Sequence, residues 1–320
     1  MQRFAMAAAI AAALLAAQAS AQDYPARPIR VFTTSSAGGI SDIFMRVLGE
    51  AMRPRLGQPL VIENKPGGAG NIGARACSEA PPDGYTLCII NADPMIYNQF
   101  LYKNISFDPE NGLTPIVNLF HLIQVLVINS DLGAKTVDEL VAVSKAKPGT
   151  LSYLTASVPL AVYMDSLKRD KGADWVRVPF KGGGEATSAI LGGSTPIGLI
   201  GLGNVMSHIS AGKMTALALT NNIRTPLLPK VPTFADLGYK GAASQTWYGL
   251  FAPPGTPKAI VDRINAEVVR VVSDPEFRDK YIISRGQVPA INTPEAFAAE
   301  IRSDRAAAKE VVKESGLEPQ

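Results

Sequence analysis

The sequence predicts an α/β protein built as two units joined by a hinge. Three observations predict it. Short apolar runs alternate with amphipathic helical patterns, the same alternation begins again in the middle of the chain, and the terminal helices need a sheet to cover. In the first unit, residues 29–33 read as a strand and residues 42–53 as a helix with Phe44, Val47, Leu48 and Ala51 on one face. Strands at 60–63 and 85–90 follow, an order that predicts a parallel sheet flanked by helices. In the middle, Thr136 and Glu139 stand in capping-box spacing and Pro148-Gly149 closes the segment, which predicts a helix over 136–145. Strand 151–153, helix 161–168, strand 176–179, helix 185–191 and strand 196–200 complete this unit. Beyond Pro226, Pro229 and Pro232 the pattern predicts strand 246–251, a helix over 257–273 whose proline suits a first turn, and a last helix opening at Thr293-Pro294-Glu295. The nearest sheet for these helices is that of the first unit. Residues 22–122 and 245–320 are therefore expected to form one discontinuous domain and residues 123–244 an inserted second one, with chain crossings near 121–125 and 244–248.

Ahead of this pattern, Arg3 and the apolar run Ala5 to Ala17, ending at Ala19-Ser20-Ala21, read as a signal peptide cleaved to leave Gln22 first. The run is shorter than the ~20 residues of a spanning helix. A periplasmic protein is expected. The net charge of +3 on 320 residues comes without a basic run interleaved with aromatics, so nucleic acid is not an expected partner. Two histidines and two cysteines in no metal-ligand spacing predict neither a metal nor a cofactor. Cys77 falls in a helical pattern and Cys88 in the next strand. Two buried thiols are the reading favoured by the strictness of disulfide geometry, with a bridge as the alternative in an oxidising compartment.

Three glycine-rich turns precede helices: Ser35-Ser36-Ala37-Gly38-Gly39, Pro66-Gly67-Gly68-Ala69-Gly70 and Lys181-Gly182-Gly183-Gly184. Such turns let backbone N–H groups approach an anion at the positive end of a helix. Each also serves as a plain tight turn. Gly68-Ala69-Gly70-Asn71-Ile72-Gly73 matches the dinucleotide fingerprint, with Asp93 about where a ribose acid would stand, so an NAD-dependent oxidoreductase is the alternative function. Against it, the turn follows Asn64-Lys65-Pro66 instead of leaving a strand directly, and it is not in the first βα unit. A hydrolase finds no G-x-S-x-G elbow, and Ser144 to Lys147 fits S-x-x-K only at a helix end. No catalytic residue is expected.

Tyr24-Pro25-Ala26-Arg27-Pro28-Ile29-Arg30, Ala37-Gly38-Gly39 with Asp42 and Arg46, Leu56-Gly57-Gln58-Pro59 to Pro66-Gly67, and Pro82-Asp83-Gly84-Tyr85-Thr86-Leu87 follow one another in an ordered series. Lys145 to Gly149, Pro179-Phe180-Lys181-Gly182, Leu191-Gly192-Gly193, His208 to Lys213, Pro229 to Thr233 and Trp247 to Pro253 continue it. From Tyr24 nearly to Gln320 the chain resembles the substrate-binding proteins of tripartite tricarboxylate transporters, the Bug family. The resemblance implies a type II periplasmic-binding-protein fold that closes on a small organic carboxylate and delivers it to membrane subunits, acting as a monomer. By position it implies a ligand wall made of Ser35, Ser36, Ala37, Gly38, Gly39, Ser41 and Asp42 with Asn91 and Ala92. The opposite wall would be Thr155, Ala156, Ser157, Lys181, Gly182, Gly201 and Asn204. Asp42 is expected to orient the loop instead of touching a carboxylate, because two anions in contact repel.

The chain departs from the family at the pocket. Thr34-Ser35-Ser36 replaces a proline-containing stretch, Ser157-Val158-Pro159-Leu160 a Gly/Ser-rich turn, and Tyr163 a histidine, while the usual Val-Asp-Leu strand and Asp-Asn pair are replaced around Pro196 and at Ile200-Gly201. Val158, Pro159 and Leu160 would remove donors from a cleft wall and add apolar surface, so an aromatic or relatively apolar carboxylate is expected. A glutamate at Gly39 is expected to abolish binding with the fold largely kept.

Overall fold

The computed structural model describes residues 24–155, 158–178, 183–220, 224–238, 246–315 and 319. The signal-peptide segment lies outside them. In chain order the elements are β1 (Ile29–Thr33), α1 (Ile40–Leu56), β2 (Leu60–Asn64), α2 (Asn71–Ser78), β3 (Thr86–Asn91), α3 (Ala92–Ile96), α4 (Asn98–Leu101), β4 (Thr114–Leu122), β5 (Gln124–Asn129), α5 (Val137–Ala146), β6 (Ser152–Leu154), α6 (Val158–Lys171), β7 (Val176–Arg177), α7 (Gly183–Leu191), β8 (Ile197–Gly201), α8 (Leu202–Ser210), β9 (Met214–Leu219), β10 (Thr246–Ala252), α9 (Lys258–Ser273), α10 (Pro275–Tyr281), β11 (Gln287–Pro289) and α11 (Pro294–Ser315).

Two sheets organise them. One has the order β11-β4-β10-β3-β1-β2 and the other β7-β6-β8-β5-β9. The all-parallel expectation holds for β2-β1-β3 and β7-β6-β8 only. β10 and β11 in the first sheet, and β5 in the second, pair antiparallel with their neighbours. The cause is the connection between the sheets. β4 and β5 form one nearly continuous extended run that leaves the first sheet at Leu122 and enters the second at Gln124, so Ile123 alone joins them. The return path leads from β9 to β10, and Gln124 Nε2 donates to Thr246 Oγ1 at 3.0 Å, tying the two crossings side by side.

Each sheet is covered on both faces, because successive strand residues point to opposite sides. Leu87 and Ile89 of β3 join Phe44, Met45, Leu48 and Met52 of α1 and Val261, Ile264 and Val268 of α9, whereas Cys88 and Ile90 join Ala74 and Cys77 of α2 and Phe297 and Ile301 of α11. Each of these large buried side chains contributes about 1.5–3 kcal/mol. Leu48→Ala would cost roughly 2–5 kcal/mol. α1 stops where Gly57 turns left-handed at φ 70° and its N–H meets Arg53 O at 2.9 Å. In α5 the Thr136 hydroxyl accepts from Glu139 N–H, as the spacing predicts.

Two sequence readings are corrected here. Cys77 and Cys88 form a disulfide, with Cα atoms 6.1 Å apart, because α2 lies directly on β3 and both residues face the same core. Leu160 is buried among Tyr163, Trp175 and Phe234 in the core of the second unit and is no part of a cleft wall. Tyr163, where the family has histidine, stacks on Phe234. His121 is also interior, beside Asn118 and Glu300, and burial holds its imidazole at a pKa of about 4, so the 3.5 Å approach to Glu300 joins a neutral ring to the carboxyl.

Candidate ligand site

β1 delivers the chain into the loop 34–39, and α1 begins immediately after it. The loop is held from within. Thr33 Oγ1 and Ser41 Oγ share a short hydrogen bond, and Ser41 Oγ donates to Ser35 Oγ at 2.7 Å. Asp42, only 3 % exposed, accepts Gly38 N–H at 2.9 Å, Asn64 Nδ2 at 3.0 Å, and both Nη2 and Nε of Arg46 at 2.8 and 3.2 Å. The Arg46 bonds, aided by those from Gly38 and Asn64, hold its carboxyl down at a pKa of about 2. Asn64 Nδ2 also donates to Ser35 O at 3.0 Å. Asp42 is thus spent on the loop and on Arg46.

The same bonds decide which donors are left. Gly38 N–H is taken by Asp42 and Gly39 N–H by Ser36 O, so neither glycine amide faces a ligand unpaired. The first-turn amides of Ile40, Ser41 and Asp42 have no helical acceptor, and Ile43 is the first to find one, in Gly39 O. Gly39 has an ordinary φ of −72°, and what excludes a side chain is space: a Cβ there would lie 2.6 Å from Ser35 Cβ. Gly39→Glu would therefore deform the loop, which corrects the expectation that it leaves the fold intact.

Behind the loop, Asn91 ends β3. Its Oδ1 accepts from Thr34 Oγ1 at 3.1 Å and its Nδ2 donates to Asp93 Oδ2 at 3.0 Å. Asp93 and Tyr248 are both half-buried. Burial pushes Asp93 up to about 6, and it pushes Tyr248 up to about 12 against a hydrogen bond from Ser35.

Facing the loop across the junction is the turn between β8 and α8. Leu202 N–H bonds to Ile123 O at 2.8 Å, which fixes that turn to the crossing strand. Between the two sides lies a recess of about 290 Å³. Gly38, Ile40, Ile43 and Val47 form one wall, Gly201 to Asn204 another, and Leu122, Tyr281 and the stretch Ser284 to Gln287 close it. The recess brings together Gly38, Gly201 and Asn204 of the expected site. Ser35, Ser41, Asp42 and Asn91 lie in the hydrogen-bonded network beneath the loop, and Ser36 and Ala37 are at its exposed tip. Ser41, Ala92 and Thr155 are buried, so their side chains support the walls. Ala156, Ser157, Lys181 and Gly182 lie outside the described residues.

Reasoning from sequence missed Thr34, Asn64, Asp93 and Tyr248 as network members and Ile40, Ile43 and Arg285 as lining. Asn64 and Asp93 carried a signal, since Asn64 ends β2 and Asp93 follows β3, at the carboxyl ends of parallel strands where ligands gather in α/β sheets. Arg285 carried none. The Gly68–Gly73 fingerprint has a packing explanation: a Cβ at Gly73 would meet Thr34 Cγ2 at 2.9 Å and one at Gly70 would meet Pro94 Cγ at 2.6 Å. Glycine there lets α2 approach the strands. Among the described residues no cluster of His, Cys, Asp and Glu could hold a metal, and no helix is long and apolar enough to cross a membrane.

Two α/β domains of the type II periplasmic-binding-protein fold, with a recess at their junction, define a solute-binding protein. Residues 44–317 match the family described as the Tripartite tricarboxylate transporter family receptor, and the chain belongs to it. Protein BugT of Bordetella pertussis is 31% identical over 310 residues, 96% of this chain and 95% of its own length. Among solved structures, R. palustris Rpa4515 with adipate superposes with a TM-score of 0.83 at 25% identity, covering 93% of this chain and 100% of that one. MatC from Rhodopseudomonas palustris with bound malate superposes at 0.76 with 26% identity, covering 90% and 100%.

Proposed function

We propose that this protein is exported, loses residues 1–21, and captures a small organic carboxylate between its two domains for the membrane subunits of a tripartite tricarboxylate-type transporter. It acts by binding, as a monomer, with no catalytic step. The observation that carries this reading is the pinned loop 35–42. Asp42 and Arg46 neutralise each other within it, and the first-turn amides of α1 remain to receive an anion at the positive end of a 17-residue helix. The adipate and malate held by the two similar structures support a carboxylate as the class of ligand.

A relatively apolar or aromatic carboxylate is the finer reading. Leu160 no longer supports it, but Ile40, Ile43, Val47 and Leu122 do, because together they offer an apolar wall beside the loop. Burying ligand carbon there is worth about 25 cal/mol per Å². Ser35 to Gly39, Asn91, Gly201 and Asn204 are the described residues assigned to the ligand, with Ala156, Ser157, Lys181 and Gly182 completing the second wall.

A thermal-shift screen of citrate, malate and tartrate against adipate, benzoate, phthalate and terephthalate tests both levels. Ligand at about 100 times its dissociation constant adds roughly 2.7 kcal/mol to stability. A shift with the second group supports the finer reading, and a shift with citrate or malate alone removes it. No shift with any acid removes the carboxylate reading.

A further inference from the structure

We infer that Glu300 and Asp304 form a proton-linked lock on the hinge: they seat α11 on the two strands that cross between the domains, more firmly as pH falls. The inference concerns the hinge alone and is independent of which ligand the recess takes. His121 and Trp247 are paired in register where β4 and β10 reach the crossing. Both point away from the recess, since Leu122, the next residue of β4, lines it. Above them lies α11, whose Phe297 ring meets the Trp247 indole edge-on at 5.0 Å. Glu300 and Asp304 stand one turn apart on that helix. Trp247 Nε1 donates to Asp304 Oδ2 at 2.8 Å. Asn118 Nδ2 and Asn292 Nδ2 donate to the two oxygens of Glu300 at 2.9 and 3.1 Å, and His121 Nε2 lies 3.5 Å from the first of them. One carboxyl therefore meets each hinge strand.

The same helix packs against α6 of the second domain, so it touches both strands of the hinge and the body that they carry. The joint it supports is narrow. Ile123 N–H donates to Gly286 O at 3.3 Å in the first domain, and Ile123 O accepts Leu202 N–H at 2.8 Å in the second. Beside it two glycine backbones touch: a Cβ on Gly203 would lie 2.4 Å from Arg285 O, and one on Gly286 would lie 3.0 Å from Gly203 N. A joint of one residue has little stiffness of its own, so the helix seated behind it sets how freely it opens.

Burying a carboxyl penalises its ionised form. Burial holds Glu300 above the ordinary range and Asp304 at about 6, with the Glu300 charge adding to the rise at Asp304. His121, neutral above about 4, does not compensate them. Elsewhere on α11, Arg305 is turned to Met95 O, Pro109 O and Glu110, and Glu295 to Lys258 of α9, while Asp93 on α3 is bonded by Asn91. Among the described residues no charge of α3, α4, α6 or α9 acts on the pair. When α11 lifts, Asp304 enters water and returns to its ordinary 3.8, so the lifted state binds its proton less well. Proton linkage then makes lifting roughly tenfold rarer at pH 5 than at pH 7.5.

Hydrogen exchange of the mature, ligand-free protein by NMR tests the lock at two protons, the Trp247 indole N–H and the Ile123 backbone N–H. Each rate is taken relative to the unstructured rate at the same pH. The chain has two tryptophans, so Trp247→Phe identifies the indole signal. In wild type, protection at both protons should rise about tenfold from pH 7.5 to pH 5. Asp304→Asn, which keeps an oxygen acceptor for the indole but carries no charge, should hold both near the wild-type pH 5 level at either pH. The wild-type indole shift should also titrate with a midpoint near 6, which ties the change to Asp304 without any substitution. Protection that is flat with pH at either proton, an indole shift that does not titrate, or a rise that persists in folded Asp304→Asn would overturn the lock. None of these results touches the carboxylate reading.

Discussion

Replacing Asp42 with alanine should unpin the loop that begins α1 and lower stability by about 2 kcal/mol at neutral pH. Its pKa falls from 3.8 to about 2, close to two units, and each unit is worth about 1.4 kcal/mol. That sets an upper figure of about 2.5 kcal/mol. The carboxylate is buried, but the Arg46 side chain is 53% exposed, so solvent screens part of the pair and roughly 2 kcal/mol remains. A depressed carboxylate pKa stabilises the fold above the unfolded value near 4, and that stabilisation is lost as pH falls toward 2. The gap between wild type and Asp42→Ala should therefore be full at pH 7 and shrink between pH 4 and pH 2. Calorimetric melting at several pH values measures it, with an expected difference near neutrality of ~4 °C at about 2 °C per kcal/mol. Ligand affinity should fall as well, since Gly38 N–H and Asn64 lose their acceptor. A gap that stays constant down to pH 2, or one below about 0.5 kcal/mol at pH 7, would refute this account of the loop.

Four other outcomes are expected. Replacing both Cys77 and Cys88 with alanine opens a loop of sequence separation 11 and should cost about 3 kcal/mol, seen as a lower melting temperature, with unchanged melting as the contrary result. Carboxylate affinity should rise several-fold as pH falls from 7.5 to 5.5, because Asp93, at about 6, loses its charge near the loop, and Asp93→Asn should flatten that profile in calorimetric titrations. Ile40→Glu should keep the melting temperature, since an acid suits the first turn of α1, while weakening carboxylate binding at least tenfold. Gly39→Ala, by contrast, should lower both, because its Cβ has no room beside Ser35. Equal effects of these two substitutions on stability would contradict the division of roles.

What could be read from the sequence followed the strength of the local signal. β1, α1 and α5 were legible from alternation, apolar stripe and capping residues. β4 and β5 were not. Their run from Pro115 to Asn129 is apolar with little alternation, because both faces of a central strand are covered, and such a run cannot be separated by periodicity from an interior segment. Without them the antiparallel half of each sheet was also hidden. At the site, the glycine loop was visible as a strand-to-helix turn, and the orienting role of Asp42 followed from the family resemblance and from the repulsion between two anions in contact. Tyr248 and Arg285 reach the site through strand pairing and a glycine-to-glycine backbone contact between distant segments, for which a sequence offers no local mark. Leu160 misled for the opposite reason: an apolar residue at a departure from the family looks like pocket surface, yet the second core claims it.

The central claim is that a carboxylate is held between the domains at the start of α1. Its most direct test is a crystal structure of the mature chain saturated with whichever acid of the thermal-shift panel stabilises it most. Density for the acid between the loop 35–42 and the turn Gly201 to Asn204, with a carboxylate oxygen within hydrogen-bond distance of a first-turn amide of α1, is the predicted result. A saturating acid found elsewhere on the molecule, with that junction holding only solvent, would contradict the account.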